Sequence, residues 1–171
     1  KARDMAGDIM SSGMFSIYST GNPTSDYSKL FTSQDLMGNS EVILVNPYDA
    51  NKDRSGDMNY TVFGDYEQSP SRDLVMTYLM KDGSSFTSID EYQRLSFVEE
   101  FQNRDPRLMQ TIAYPGWVRQ PNDIPYIQSL NKNFTGYHQL KGYQNTTDNI
   151  ENANADFPVW QMLICLQIHF L

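Results

Sequence analysis

A single cysteine, Cys165, leaves the chain with no possible internal disulfide, and its apolar neighbours mark it as a small buried hydrophobe rather than a reactive thiol. Histidine is nearly as scarce. His138 and His169 lie far apart with no nucleophile motif beside either, so both are read as structural or solvated. Cys165 and His169 stand four apart and would share one face of a helix, but two ligands do not make a metal site. Positive charge is also short: 13 Lys and Arg against 21 Asp and Glu give a formal charge of -8. Such a surface repels phosphate backbones and anionic headgroups, which argues against nucleic acid and polybasic membrane binding, while a neutral ligand meets no such repulsion. Long apolar runs are missing too. The stretch from Phe157 to Leu171 falls short of the roughly 20 residues that a membrane-spanning helix needs, and is read as a core helix.

What is present reads as helices joined by long polar loops. Ala2, Met5, Ala6, Ile9 and Met10 repeat at helical spacing, and Gly13 stands where a C-terminal cap belongs. With no capping residue and no signal peptide before that helix, the chain is expected to start inside a larger protein, with any export signal or lipid anchor upstream. Phe15 to Phe31 reads as a polar connector turning at Gly21-Asn22-Pro23. Glu41 to Val45 is β-prone and is closed by Asn46-Pro47, and the polar stretch Asp49 to Gly64 has the length of a binding loop. Ser69-Pro70 is expected to open a helix with the stripe Leu74, Val75, Tyr78 and Leu79, ended by Asp82-Gly83. Ser88 to Glu91 fits a capping box for a helix striped by Tyr92, Leu95, Val98 and Phe101. Leu108–Tyr114 and Tyr137–Tyr143 alternate like strands and predict a small hairpin around the loop Pro115 to Thr135.

Candidates for chemistry are few. Asp49, Asn51 and Asp53 imitate a calcium loop, but Arg54 stands at the required glycine and Tyr60 at the closing glutamate. Carboxylates abound, yet a glycosidase pair needs a set separation across a cleft that spacing does not reveal. Asn59, Asn133 and Asn145 match the glycosylation pattern as chance would give in a chain rich in Asn and Thr. Aromatic residues stand out at 13%, a load that suits stacking on the flat C–H faces of sugars. Tyr114, Trp117, Tyr126 and Tyr137 cluster in or beside the long loop and are the candidate carbohydrate-binding residues; the alternative is that these rings pack a core.

From Phe101 the residues follow a recognisable order. Phe101-Gln102-Asn103-Arg104-Asp105-Pro106-Arg107-Leu108, then Gln110-Thr111-Ile112 and Tyr114-Pro115-Gly116, resemble the signature of the SusD/RagB family. Asn39 to Leu44, Pro70 to Val75, Tyr78 to Gly83 and Thr135 to Lys141 are similar to that family in the same order. Physical chemistry gives the central motif a structural reading. Asp105 before Pro106 caps a turn, and Arg104 and Arg107 can lock it through forked hydrogen bonds.

The resemblance implies a mainly α, tetratricopeptide-like fold with long loops, and residues 1–171 as a single partial domain without the N-terminal helical repeats. It implies non-enzymatic glycan binding by a surface lipoprotein of the outer membrane, partnered by a TonB-dependent transporter of the SusC type, with no cofactor. Gln161 to Leu171 depart from the Arg-Tyr-Ala-Glu run that the family's final motif, begun at Asp156 to Trp160, leads one to expect. An interaction scaffold that binds no sugar and a glycoside hydrolase are the rival classes.

Overall fold

The computed structural model describes residues 2–33, 35–45, 69–119, 124–127, 133–144 and 164–165. It is mainly helical with little strand, as the sequence leads one to expect. Helix α1, Ala2–Ser11, ends before Gly13, whose φ of +69° suits the cap position. The supposed connector contains a second helix, α2, Asp26–Thr32. A buried aspartate explains it. Asp26 gathers the amides of Thr20 (2.8 Å) and Asn22 (3.1 Å) and the Thr20 hydroxyl (2.5 Å), folding the preceding turn back onto the helix start. Leu30 then buries against the body of the protein.

Strand β1, Val42–Leu44, forms where the β-prone run predicts it. Its partner corrects another expectation: Ile164–Cys165, inside the stretch read as a core helix, form strand β2 antiparallel to β1. The open edge of β1 offers backbone partners that a helix in the last segment could not use. Cys165 therefore lies on a strand and not on a helix face shared with His169, which falls outside the described residues.

Helix α3, Arg72–Thr77, begins two residues later than the sequence suggests, because Ser71 and not Ser69 accepts the Leu74 amide (3.2 Å). It also stops early. Tyr78 is extended, and the turn at Asp82-Gly83 reverses the chain so that Leu79 bridges Ser85 and Met80 bridges Arg104. The capping box is likewise displaced. Ser96 and Glu99 form it, with the Ser96 amide on Glu99 Oε2 at 2.8 Å, and it opens α4, Phe97–Glu100. Ser88 instead closes a 3-10 turn, Phe86–Ser88, and Tyr92 starts another, Tyr92–Arg94. Two segments match the box in sequence, but only the second is followed by residues that bury, Glu100 and Phe101.

The central motif behaves as read. Asn103, at φ 53°, takes the left-handed conformation that asparagine tolerates, and its carbonyl accepts the Lys81 amide (2.7 Å). Asp105 caps α5, Pro106–Met109, by accepting the Arg107 amide (2.8 Å), and Pro106 fills the first helical position. Leu108 and Met109 are thus helical, so the predicted hairpin shrinks to one bridge, Ile112 to Gln139, flanked by bonds from Ala113 N to His138 O (2.9 Å) and Leu140 N to Thr111 O (2.6 Å).

Arg104 ties these pieces together. Its Nη1 donates to Glu100 O (2.7 Å), and its Nη2 to Val75 O and Tyr78 O (both 2.8 Å). Its guanidinium also lies 3.8 Å from the centre of the Phe86 ring. These carbonyls lie at the ends of α3 and α4, where a cation is favoured, and Val75 O takes the Tyr78 amide (3.4 Å) as well. Val75, Met76, Phe86, Phe101, Leu108, Ile112 and Tyr137 pack around this point as the main core. Glu100, also buried, accepts from Arg72 Nη2 (2.6 Å) and Nε (3.1 Å) and from the Tyr137 hydroxyl.

Arg104→Lys keeps the charge but cannot span three carbonyls with one ammonium held over Phe86. It is expected to cost about 2 kcal/mol or more of stability, read as a lower urea midpoint at unchanged slope. A second expectation concerns pH. Burial works to raise the Asp105 carboxyl, but the Arg107 side chain and amide outweigh it and hold the group below the ordinary aspartate value. A depressed native value means that its contribution is complete above the unfolded-state value of about 3.9 and is lost as pH falls through the native one. Urea midpoints at pH 7 and pH 3 should therefore differ more for the wild type than for Asp105→Asn.

Candidate functional site

A cleft of about 490 Å³ opens between α2 and the chain that follows α5. Three side chains, Gln110, Lys141 and Gln144, set its width. Gln110 accepts the Ser28 amide (2.8 Å) and donates to Pro23 O (2.9 Å) and Pro106 O (3.0 Å), pinning α2 to α5. Lys141 Nζ donates to the Tyr27 hydroxyl (2.9 Å) and sits 3.8 Å from the centre of the Phe31 ring. Gln144 Nε2 donates to Thr32 O (2.7 Å), closing the far end. The volume lies within the range of small-molecule pockets, about 300–1,000 Å³.

The aromatic side of the cleft is built by a turn. Trp117 N donates to Tyr114 O (3.0 Å) across Pro115 and Gly116, and Gly116 at φ +86° supplies the positive angle this turn needs after proline. Trp117 then packs edge-on against Tyr126 (5.7 Å between centroids) and Tyr143 (5.8 Å), in a second core with Ala113 and Leu140. Tyr114, half-buried, packs against both cores. The polar side comes from α2 and its approach: Thr24, Ser28 and Thr32, four apart, line the cleft with the amides of Gln110 and Gln144. Among the described residues, neither a carboxylate nor an ammonium lines it.

The four candidate aromatics therefore part company. Tyr114 and Trp117 line the cleft. Tyr126 stands behind Trp117, with its hydroxyl 3.2 Å from His138 Nδ1. Tyr137 lies in the main core with its hydroxyl on Glu100, and burial first, then Glu100, pushes its pKa up to about 12. The sequence does not single out the hydroxyls of Thr24 and Ser28, which fall in the supposed connector, or of Thr32, which directly follows it; their spacing of four is the available signal.

Other candidates resolve as structure. His138 is fully buried. Asn133, one of the glycosylation matches, is fully buried, donates to Tyr137 O (2.8 Å) and accepts the amides of Thr135 (3.2 Å) and Gly136 (2.9 Å), so it is a turn-former and not an acceptor for glycan. Asn59, Asn145 and the calcium-like Asp49, Asn51 and Asp53 lie outside the described residues. Among the described residues, no three His, Cys, Asp or Glu come together to hold a metal ion.

The model of the SusD family matches residues 40–161. No curated protein matches the chain. Among solved structures, a SusD-like protein from Bacteroides fragilis is similar with a TM-score of 0.55 and 19% identity, over 90% of this chain and 34% of the other. At that identity the likeness concerns the fold, and the chain spans about a third of that protein's length.

Trp117 is only 9% exposed, which sets its expected response to truncation. Trp117→Ala should cost about 3–5 kcal/mol of stability through the void left between Tyr126 and Tyr143, seen as a lowered melting temperature before any ligand is added.

Proposed function

The chain belongs to the SusD family, and from that premise we propose that it contributes to binding oligosaccharide at the bacterial surface for nutrient uptake, without catalysing a reaction. The single observation that carries this reading is the cleft: a pocket without charged groups among its described lining residues, with Tyr114 and Trp117 on one side and hydroxyls and amides on the other. A pyranose ring needs that pairing, because its C–H face stacks on aromatic carbon while its hydroxyls need polar partners. Tyr114 is proposed as the stacking residue, with Trp117 and Tyr126 behind it as support and Tyr137 as the residue that fixes the return strand to the core. The acidic surface suits a neutral ligand.

The further parts of the reading belong to the whole protein. They are a lipid-anchored place on the outer membrane, a TonB-dependent transporter of the SusC type as partner, and residues 1–171 as one part of a larger domain. The share of the Bacteroides fragilis protein that is covered, 34%, supports the last of these. Among the described residues no helix is long and apolar enough to cross a membrane. A scaffold that touches the transporter without holding sugar is the second reading, favoured by the apolar side chains left exposed on and after α1: Met5, Met10, Met14 and Ile17.

Titration calorimetry against a panel of oligosaccharides tests the proposal. The wild type should bind at least one, and Tyr114→Ala should weaken that binding about tenfold, as expected for loss of one stacking ring. Wild-type affinity in the variant, with its melting temperature unchanged, would remove Tyr114 from the site. An absence of binding across the panel would favour the scaffold.

A further inference from the structure

The hydroxyls on the α2 side of the cleft have already given away their protons. Thr24 Oγ1 donates to Asn22 Oδ1 (2.7 Å), Ser28 Oγ to Ser25 O (2.9 Å), and Thr32 Oγ1 to Ser28 O (3.0 Å). Each bond is local, within four residues, so it is kept whether or not a ligand is present. Gln110 is spent in the same sense: both amide protons go to Pro23 O and Pro106 O. Tyr143 adds a fifth case, its hydroxyl donating to Arg119 O (3.1 Å). A hydroxyl whose proton is committed still carries a lone pair, and that is what it offers a visitor. Thr24, Ser28 and Thr32 stand at i, i+4 and i+8, so these lone pairs run as a row along the α2 side of the cleft.

We infer that this cleft selects uncharged glycan units and rejects acidic ones, because its row of α2-side hydroxyls, with Gln110, accepts hydrogen bonds and has no proton left to donate. The inference rests on the glycan-binding reading above and deepens it by naming the ligand class. A neutral hexose brings its own donors, one per hydroxyl, and can satisfy the row while its C–H face meets Tyr114. A uronate or sulfate brings acceptors and charge. It would place oxygen against oxygen, with no cation among the described lining residues to offset the loss of its hydration. An amino sugar brings donors, but its ammonium would meet no carboxylate among the described lining residues, so it too should fall behind the neutral ring.

The test compares three oligosaccharides of equal length, neutral, uronate-bearing and glucosamine-bearing, by calorimetry on the full chain. The wild type should bind the neutral one tightest. Ser28→Ala and Thr32→Val each remove one acceptor, and each should weaken neutral binding about three- to tenfold with melting unchanged. Thr24→Val removes a third acceptor from outside the helix, so it carries the test if either helix variant fails to fold. Tighter binding of the uronate by the wild type overturns the inference. So does wild-type affinity for the neutral ligand in every folded variant; in both cases glycan binding itself would stand. Binding to none of the three would remove the glycan reading and the inference with it.

Discussion

A guanidinium buried beneath the ends of two helices holds this molecule in shape. Helices as short as α3 and α4 have no stability of their own, since nucleation costs more than so few hydrogen bonds return. Their last carbonyls also need partners once they are buried. Arg104 answers both needs. It donates to Val75 O and Tyr78 O at the end of α3 and to Glu100 O at the end of α4, and rests on the Phe86 ring. The neighbouring backbone completes the join, with Asp105 N on Leu79 O (2.9 Å) and Lys81 N on Asn103 O (2.7 Å). Lysine could not replace it, because three carbonyls in different directions require the flat fork that only arginine offers.

From that point the structure can be followed outward to the cleft. Glu100, whose carbonyl Arg104 holds, turns its carboxylate to Arg72 and to the Tyr137 hydroxyl. Tyr137 anchors the returning chain, and His138 O and Leu140 N then bond across to Ala113 and Thr111. This return brings Leu140 and Tyr143 against Trp117, while Lys141 and Gln144 reach α2. The cleft thus depends on Arg104 without containing it.

Legibility in the sequence followed the range of the interactions. The helix at Met5 to Met10, the β-prone run at Val42 and the Asp105 cap rest on neighbours a few residues apart and are readable; of the Arg104 lock only the bond to Glu100 O is local, while those to Val75 O and Tyr78 O reach back to α3. Boundaries decided at a distance were not. Ser69 and Ser71 are equivalent as local caps, and the early end of α3 follows from the pairing of Met80 with Arg104. The same holds for the two capping-box matches, which only the burial of Glu100 and Phe101 separates. At the site, the aromatic cluster was visible as composition, but its division into cleft-lining Tyr114 and Trp117, supporting Tyr126 and core Tyr137 was not. Rings spread over a loop and its flanks look alike until the opposite wall is known, and that wall, α2, reads as a connector in the sequence.

Two features of different range bear on the same choice of ligand. The net charge of -8 acts over roughly a Debye length, about 8 Å in physiological salt, and slows the approach of any anion before contact. The committed protons of Thr24, Ser28 and Thr32 act only at contact, where screening by salt is weakest. The first feature is removable by ionic strength and the second is not. Discrimination against an acidic sugar should therefore have two parts, one that fades as salt is raised and a residue that persists. The residue belongs to the cleft, and its persistence follows from hydrogen-bond direction rather than from charge, since an acceptor facing an acceptor gains nothing from added counterions.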